Sequence, residues 1–265
     1  MQLQEIQLTL RPEFNQAEHS YTWEGWQLPG VSKILDDTGL KQPFDRTFWR
    51  LSLLRKGMTP DEAEAFMDNR AEEGRTRGKL VHFGIETAIK EGKVQLTDEA
   101  PEILQDYMPA FDAFSKAHDL GDVYLMETPL IHPTGFYCGT VDCVAELEGK
   151  PVILDWKTTE HFKRKPKGER WQLFQLVAYL AAINTCSTED FRVLNAANVF
   201  ISKDGFHVHQ WTTDEIMEAW STLQGLLRDY WLERRALGKT YHHPDLAARA
   251  VELIEERWGP FEDLA

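Results

Sequence analysis

The sequence predicts an α/β fold with a mixed central sheet flanked by helices, together with helical N-terminal and C-terminal additions. Three observations predict it. Helical patterns dominate up to about residue 118, short β-rich runs broken by turn residues occupy most of residues 123–211, and long helical patterns follow. One further helical pattern interrupts the β-rich runs. This arrangement favours layers of helix and sheet around a common core.

The N-terminal part, residues 1–120, is predicted to be mainly helical. Aromatic and polar residues alternate over residues 19–27 around Glu24-Gly25, which indicates a hairpin. In the segment LPGVSKIL, Ser32 is the predicted N-cap of a short helix. Longer helical patterns follow, one starting at Pro60-Asp61 and others covering residues 72–90 and 102–118.

The sheet core is predicted over residues 121–211. Its strands are expected at residues 123–131, 137–147, 152–157, 193–202 and 205–211, with a helix at 170–184 between the third and fourth. The C-terminal part, residues 212–265, is expected to form helices at 214–237 and 244–257. No internal repeat or Gly/Ser linker interrupts the pattern, so residues 1–265 are expected to form a single domain.

The composition indicates a globular protein with an acidic surface. Hydrophobic residues make up 42% of the chain and charged residues 27%, which disfavours fibrous or largely disordered classes. The net charge is −14, from 29 basic and 43 acidic residues. A surface wrapped generally around nucleic acid would be basic, so that mode of binding is disfavoured. A local basic track, or a metal held between carboxylates and phosphates, stays compatible with this charge.

The cysteine content and the N-terminal segment favour a reducing compartment. The three cysteines form no CxxC motif and no even-numbered disulfide framework. The first residues, MQLQEIQLTL, lack the features of a signal or transit peptide, and no apolar run approaches the roughly 20 residues that span a bilayer. We therefore expect no membrane partner and a cytoplasmic location, in a bacterial or a phage-infected cell.

The segment GTVDCVAELEGKPVILDWKT, residues 139–158, carries the main chemical signal. If Glu148-Gly149 forms a two-residue hairpin turn, Asp142 faces Asp155 across the two strands. Directly opposed residues have Cβ atoms about 4.5–5.5 Å apart on one face of the sheet. Two carboxylates at that distance repel each other unless a cation lies between them, and a divalent metal with oxygen ligands meets this need.

Lys157 lies two residues after Asp155 and therefore points to the same face. Trp156 points to the opposite face, where we expect it in the core. Two acids and a lysine on one face suit metal-assisted hydrolysis of a phosphodiester. The alternative is a surface hairpin with an ordinary ion pair, but the apolar surroundings favour a functional site, since charges seldom lie in such strands without partners.

Several motifs together resemble a known family. The Asp-x-Lys of residues 155–157, preceded by the Gly-x-x-Asp of 139–142, resembles the PD-(D/E)XK nuclease superfamily. RGKLVH at 77–82 is similar to the RGxxxH helix of its RecB-type exonuclease branch, which includes phage exonucleases. QLVAY at 175–179 resembles the QxxxY motif of that branch, and LPGVSKIL resembles its LPSVTxIL segment. The resemblance covers roughly residues 28–180, and it lacks the proline of the family name, since Val141 precedes Asp142.

The resemblance implies a restriction-endonuclease-like core and a site that uses Mg²⁺ or Mn²⁺. The implied metal ligands are His82 through a neutral imidazole, Asp142, Asp155 and the Trp156 backbone carbonyl. Lys157 is implied to orient a water and stabilise charge. Gln175 and Tyr179 share one helix face, and they are expected either to contact water, phosphate or the lysine or to be ordinary polar residues of a packed helix. Glu127 either faces the site or is a plain edge residue.

Basic residues near these motifs are candidates for DNA binding, with a solvated loop as the alternative. They are Lys163, Arg164, Lys165, Lys167 and Arg170 after the Asp-x-Lys strand, and Arg77 and Lys79 in the RGxxxH helix. Trp171, Phe136 and Tyr137 are candidates for base stacking, although aromatic residues are more often part of a core.

The expected function is that of a Mg²⁺- or Mn²⁺-dependent deoxyribonuclease, an exonuclease acting on DNA ends with single-stranded character. Alternatives are a catalytically idle DNA-binding or assembly protein of the same fold, or an RNase or other phosphoesterase using the same metal site. The resemblance implies no iron–sulfur cluster, because the subfamily that carries one has four cysteines, three of them near the C-terminus, and no cysteine here follows Cys186. Phage recombination, DNA repair and processing of foreign DNA are all compatible roles, and protein partners are not indicated.

Overall fold

A computed structural model describes residues 2–41, 45–94, 100–162, 165–188, 191–237 and 245–256. Its main sheet has five strands in the order β4-β5-β6-β7-β8. The strands are β4 (Leu120–His132), β5 (Tyr137–Leu147), β6 (Lys150–Thr158), β7 (Asn195–Ser202) and β8 (Gly205–Gln210). Only the β6–β7 pair of this sheet is parallel, so the sheet is mixed, as predicted.

The hairpin of β5 and β6 has the predicted register. Cys143 pairs with Leu154, and the ladder continues to Leu147 and Lys150 at the turn. The two turn residues, Glu148 and Gly149, have φ angles of 53° and 79°. Both angles are positive, as in the type I′ turn that matches the twist of the flanking strands. This turn sets which residues of the two strands face each other.

Helices occupy the parts of the chain that the sequence predicts to be helical, with a difference in how the N-terminal ones divide. They are α1 (Val31–Asp37), α2 (Arg46–Arg55), α3 (Pro60–Glu91), α4 (Glu102–Ala117), α5 (Arg170–Cys186), α6 (Thr213–Leu237) and α7 (Leu246–Glu256). Among the described residues, no helix is both long and apolar enough to cross a bilayer.

The two helices predicted at Pro60 and over residues 72–90 are one continuous helix, α3, and that prediction was wrong. A capping box between Thr59 and Glu62 starts the helix, and Gly92 ends it in the left-handed conformation with φ of 71°. No proline occurs after Pro60 within the helix, and its three internal glycines do not interrupt it. A single helix of 32 residues results.

The N-terminal segment contains one strand more than predicted. Strands β2 (Ser20–Trp23) and β3 (Trp26–Leu28) form the predicted hairpin, and β1 (Glu13–Asn15) pairs with β2 on its other side. The N-cap of α1 is Gly30, whereas Ser32 lies inside the first turn. The Ser32 prediction was therefore wrong by two positions, and its hydroxyl is available for a contact across the fold.

Two hydrophobic clusters pack on the opposite faces of the main sheet. One lies between the sheet and helices α1, α5 and α6, and the other lies between the sheet and helices α3 and α4. Trp156 is in the second cluster, as predicted. Phe136 and Tyr137 are buried in the first cluster, so they belong to the core and are not available for base stacking.

His132 at the end of β4 makes the stability of this fold depend on pH. Its side chain is buried, and its Nδ1 accepts a hydrogen bond from the Gly135 N–H at 2.8 Å. Its Nε2 has no hydrogen-bond partner among the described residues. Burial lowers the pKa of His132 from 6.5 to about 4, because the cationic ring loses its hydration.

We predict that His132→Asn reduces the acid sensitivity of folding. A lowered histidine pKa means that stability is present above pH 6.5 and is lost as the pH falls towards 4. The wild-type free energy of unfolding should therefore fall by about 2–3 kcal/mol more than that of the variant between pH of about 7 and about 4.5. Urea unfolding at both pH values measures this difference. Asn retains an acceptor for Gly135, and the exposed His19→Asn is the control; equal falls for His132→Asn and wild type would contradict the prediction.

Candidate active site

His82, Glu127 and Asp142 converge from three different elements. His82 lies on α3, Glu127 on β4 and Asp142 on β5. The Nδ1 atom of His82 is 3.4 Å from Glu127 Oε1 and 3.9 Å from Asp142 Oδ2. One ligand atom from each residue lies within 4.8 Å of those of the other two, so the three form a group able to hold a metal ion.

Local backbone features aim the two acids at this point. Glu127 has a φ of 44°, a left-handed conformation that is uncommon for a residue with a side chain. The neighbouring Thr128 hydroxyl donates to the Met126 carbonyl at 3.0 Å, which supports the irregular backbone. Asp142 lies just beyond the last ladder pair of the hairpin, and its Oδ2 accepts the Trp156 N–H at 2.9 Å. The carboxylate thus replaces a backbone acceptor and is held in place.

The second ring nitrogen of His82 is held by the strand that carries the predicted Asp-x-Lys motif. His82 Nε2 donates to the Trp156 carbonyl at 3.1 Å. Because a carbonyl accepts only, this hydrogen bond leaves Nδ1 directed at the carboxylates. The same carbonyl has a second lone pair, so its implied role as a metal ligand stays compatible with this bond.

Asp155 and Lys157 form a largely buried ion pair beside this group. Lys157 Nζ is 2.7 Å from Asp155, whose side chain is 8% exposed. Burial lowers the pKa of Lys157, but the charges of Asp155 and Asp142 outweigh that effect and raise the pKa above its usual value. The ammonium therefore stays charged at neutral pH. It also lies 5.6 Å from the centre of the Trp171 ring.

The acids and His82 change one another's pKa values. Burial and the charge of Asp155 raise the pKa of Asp142 to about 7, against the lowering effect of His82 and Lys157. Burial lowers the pKa of His82, but Glu127 and Asp142 outweigh it and raise the pKa to about 9. The ring is therefore an imidazolium at neutral pH unless another cation takes its place. The predicted neutral imidazole applies to His82 only when such a cation is present.

The donor set fits a divalent metal such as Mg²⁺ or Mn²⁺. Two carboxylates and one imidazole nitrogen form the closest group, and Asp155 with its lysine lies next to it. Hard cations prefer carboxylate oxygens, and imidazole suits several transition metals. His82 and Asp142 are thus placed together as the sequence predicts, Glu127 joins them, and Asp155 is engaged by Lys157.

Gln175 and Tyr179 on α5 bind other parts of the protein. Gln175 Nε2 donates to Ser32 Oγ and to Tyr179 Oη, each at 3.1 Å. Tyr179 is buried and packs against the backbone of Gly139, where an added Cβ would lie 2.3 Å from its ring. Burial raises the pKa of Tyr179, so its hydroxyl is neutral. The two residues brace β5 near Asp142, and a role in the site stays a prediction.

The basic residues predicted to bind DNA after the Asp-x-Lys strand lie in the segment that leads into α5. Lys163 and Arg164 lie outside the described residues, and Lys165 and Lys167 are exposed. Arg170 starts α5, where it pairs with Glu218 at 3.2 Å. These positions follow directly after the Asp-x-Lys strand, as the sequence predicts.

Arg77, a candidate for DNA binding, is not part of the His82 group. It lines a separate cavity of about 460 Å³ with Ile103, Tyr107 and Lys203. Arg77 precedes His82 by five residues, which corresponds to about 140° around a helix, and it therefore faces another direction. Lys79 is exposed on the same helix.

Sequence reasoning missed Asn198 on β7, which contacts Asp155, and Trp211 after β8, which contacts Asn198. Asn198 donates to Asp155 at 2.7 Å, and Trp211 donates to Asn198 at 2.8 Å. Ser32, taken for a helix cap, instead accepts from Gln175. A polar residue inside the apolar run NAANVFIS is the one signal that could have identified Asn198.

Comparison with known proteins agrees with this geometry. No family model matches the chain. The chain is 28% identical to mitochondrial genome maintenance exonuclease 1 of Homo sapiens over 191 residues, which cover 69% of this chain and 51% of that protein. The Xenopus tropicalis protein of the same name is 29% identical, covering 77% and 57%, and the Mus musculus protein is 28% identical, covering 71% and 54%.

The chain is similar to PD-(D/E)XK exonucleases. The matches to the mitochondrial exonucleases confirm the resemblance that the sequence motifs carry. The chain spans about half the length of the curated relatives it matches. Among solved structures, the one titled "Crystal structure of SSO0001" matches with 12% identity and a TM-score of 0.28, covering 74% of this chain and 84% of that one, which is too distant to inform the function.

We predict that Gly139→Ala destabilises the protein by about 1–3 kcal/mol, since the new Cβ would force the Tyr179 ring off its position. The control is Gly225→Ala on α6, where a Cβ meets nothing within 4 Å. That change should stabilise the protein by about 0.5–1 kcal/mol through helix propensity. Chemical unfolding of both variants measures the two effects. A Gly139→Ala protein as stable as the wild type would show that the Tyr179 contact is not tight.

Proposed function

We propose that this chain is a Mg²⁺- or Mn²⁺-dependent deoxyribonuclease that degrades DNA from ends with single-stranded character. The observation that carries the proposal is the convergence of His82, Glu127 and Asp142 beside the buried Asp155–Lys157 pair. The similarity to proteins named exonucleases supports a nuclease. The choice of metal, of DNA and of ends is our inference.

In this proposal, some residues of the site hold the metal and Lys157 contacts the reacting groups. When bound, a divalent ion would polarise the phosphate and lower the pKa of a water molecule. His82, Glu127 and Asp142 would hold it, with Asp155 and the Trp156 carbonyl as further candidate ligands. Lys157 keeps its positive charge because of its acidic neighbours, so its ammonium can donate a hydrogen bond to the attacking water or to the phosphate. Asp155 holds that ammonium at 2.7 Å and limits its motion.

The site requires both the helical N-terminal part and the sheet. His82 comes from α3, whereas the acids and Lys157 come from β4, β5 and β6. Neither part alone contains the group that would hold the metal. We therefore propose that residues 1–265 act as one nuclease unit.

DNA contacts are proposed for the segment that follows the Asp-x-Lys strand. Lys165 and Lys167 are exposed there, and Arg170 follows at the start of α5. We include Lys163, Arg164 and Lys79 in this proposal, and we give Trp171 a role in base stacking because its half-buried ring lies beside Lys157. Arg77 is left out, since it lines a separate cavity.

We predict that labelled linear DNA is degraded with Mg²⁺ or Mn²⁺, that EDTA abolishes the cleavage, and that Lys157→Ala lowers kcat at least about 100-fold. The loss follows from removal of the cation that faces the reacting water. Lys150→Ala is the matched control, since Lys150 is an exposed lysine at the other end of the same strand. Equal degradation in all arms would contradict the proposal.

RNA of the same sequence, tested in parallel, distinguishes the alternatives. Faster metal-dependent cleavage of RNA would make the chain a ribonuclease. DNA binding without any metal-dependent cleavage would make it an idle binding protein of this fold.

We also predict that linear single-stranded DNA is degraded while closed circular single-stranded DNA of the same length survives. An enzyme that must start from an end has no entry point on a circle. Gel analysis of both substrates over the same time course measures the difference, with a single nick in a double-stranded circle as a further arm. Cutting of intact circles at a comparable rate would assign endonuclease action instead.

A further inference from the structure

Asn198 lies in the middle of β7 and has no exposed surface. Its neighbours along the strand, Ala197 and Val199, belong to the hydrophobic cluster on the side of α3 and α4. Burying an amide in such a strand is unfavourable unless all its polar atoms find partners. The hydrogen bonds of Asn198 therefore offset the cost of burying its amide.

Asn198 makes two side-chain hydrogen bonds that connect the site to Trp211, the residue that follows β8. Its Nδ2 donates to Asp155 Oδ2 at 2.7 Å, and its Oδ1 accepts from Trp211 Nε1 at 2.8 Å. The parallel pairing of β6 and β7 places Asn198 directly beside Asp155. The register of the two strands therefore brings the amide to the carboxylate.

The chemistry of the two partners sets the orientation of the amide. The indole N–H of Trp211 can only donate, so it must face the amide oxygen, and the carboxylate oxygen of Asp155, which accepts, faces the amide NH₂. The flipped amide would place oxygen against carboxylate and NH₂ against N–H. Trp211 thus keeps the donor of Asn198 directed at Asp155.

The loop before α5 closes over this arrangement. A Cβ at Gly168 would lie 2.3 Å from the Trp211 ring, 2.7 Å from His209 and 2.8 Å from Asn198 Oδ1. Only glycine leaves room for the chain at this point. The loop that carries Lys165 and Lys167 therefore packs directly on the residues that hold Asp155.

We propose that Asn198, oriented by Trp211, is a positioning residue that fixes the carboxylate of Asp155 and, through it, the ammonium of Lys157. The proposal rests on the proposed nuclease function. With Oδ2 held by Asn198, the Asp155 carboxylate cannot rotate, and Lys157 keeps a constant position relative to Asp142. Loss of the amide leaves the carboxylate with one donor fewer and free to turn.

The test compares steady-state kinetics of Asn198→Ala, Asn198→Asp and Trp211→Phe with wild type, on linear single-stranded DNA with Mg²⁺. Asn198→Ala should lower kcat by about 10–100-fold and change KM by less than about 3-fold, as expected for a residue that orients a catalytic group. Asn198→Asp is nearly isosteric and still accepts from Trp211, but it faces Asp155 with an acceptor; it should be at least as impaired. Trp211→Phe should lose about 3–10-fold in kcat.

The matched control is Asn195→Ala on the same strand, where the amide donates to the Pro151 carbonyl at 3.1 Å, away from the site. It should retain wild-type kcat. Thermal unfolding of every variant checks the fold, and Trp211→Phe keeps the test decisive if Asn198→Ala does not fold.

A readout that does not depend on activity is the indole N–H resonance of Trp211 in an ¹⁵N-correlated spectrum, assigned by its absence in Trp211→Phe. It should shift in Asn198→Ala and stay in place in Asn195→Ala. Wild-type kcat in folded Asn198→Ala or Asn198→Asp would overturn the positioning role. A wild-type protein without nuclease activity would instead reject the proposed function, and the two failures are therefore distinguishable.

Discussion

Repulsion among three neighbouring carboxylates is the constraint on which the site depends. Asp155 is buried, Asp142 is partly buried and Glu127 is exposed, and the charges of Asp155 and Glu127 both raise the pKa of Asp142. Without cations such an arrangement would open or take up protons, as the raised pKa of Asp142 indicates. His82 and Lys157 supply two positive charges, and a divalent metal in place of the His82 proton would supply more.

The fold meets this constraint by drawing each charge from a different element. The hairpin turn sets the register that brings Asp142 near Asp155, and the strained backbone of Glu127 turns a third acid to the same point. The long helix α3 delivers His82, whose Nε2 is tied to the backbone of β6. Strand β7 adds a neutral amide that holds Asp155 without adding charge. Opposing charges are thus held in one geometry by independent parts of the chain.

Local sequence features predicted most of the elements and the central hairpin. The turn chemistry of Glu148-Gly149 sets a register by backbone twist alone, so the closeness of Asp142 to Asp155 followed without knowledge of distant residues. Predictions failed where neighbouring positions competed: Ser32 is a good capping residue, yet Gly30 caps the helix, and the segment after Pro60 contains nothing that stops a helix. The direction in which the Arg77 side chain faces could not be read from its closeness to His82 in the sequence, because helical spacing decides it.

By itself the sequence determined the class of the fold, the register of the β5–β6 hairpin and the resemblance to PD-(D/E)XK exonucleases. It also determined that Asp142, Asp155 and Lys157 lie near one another. These depend on periodicity, turn residues and spacing, which are properties of short segments. Only the tertiary structure decided that Glu127 joins His82, that Arg77 faces a separate cavity, and that Asn198 and Trp211 hold Asp155. These contacts join residues far apart in the chain, and packing of whole elements against one another is what brings them within hydrogen-bond distance.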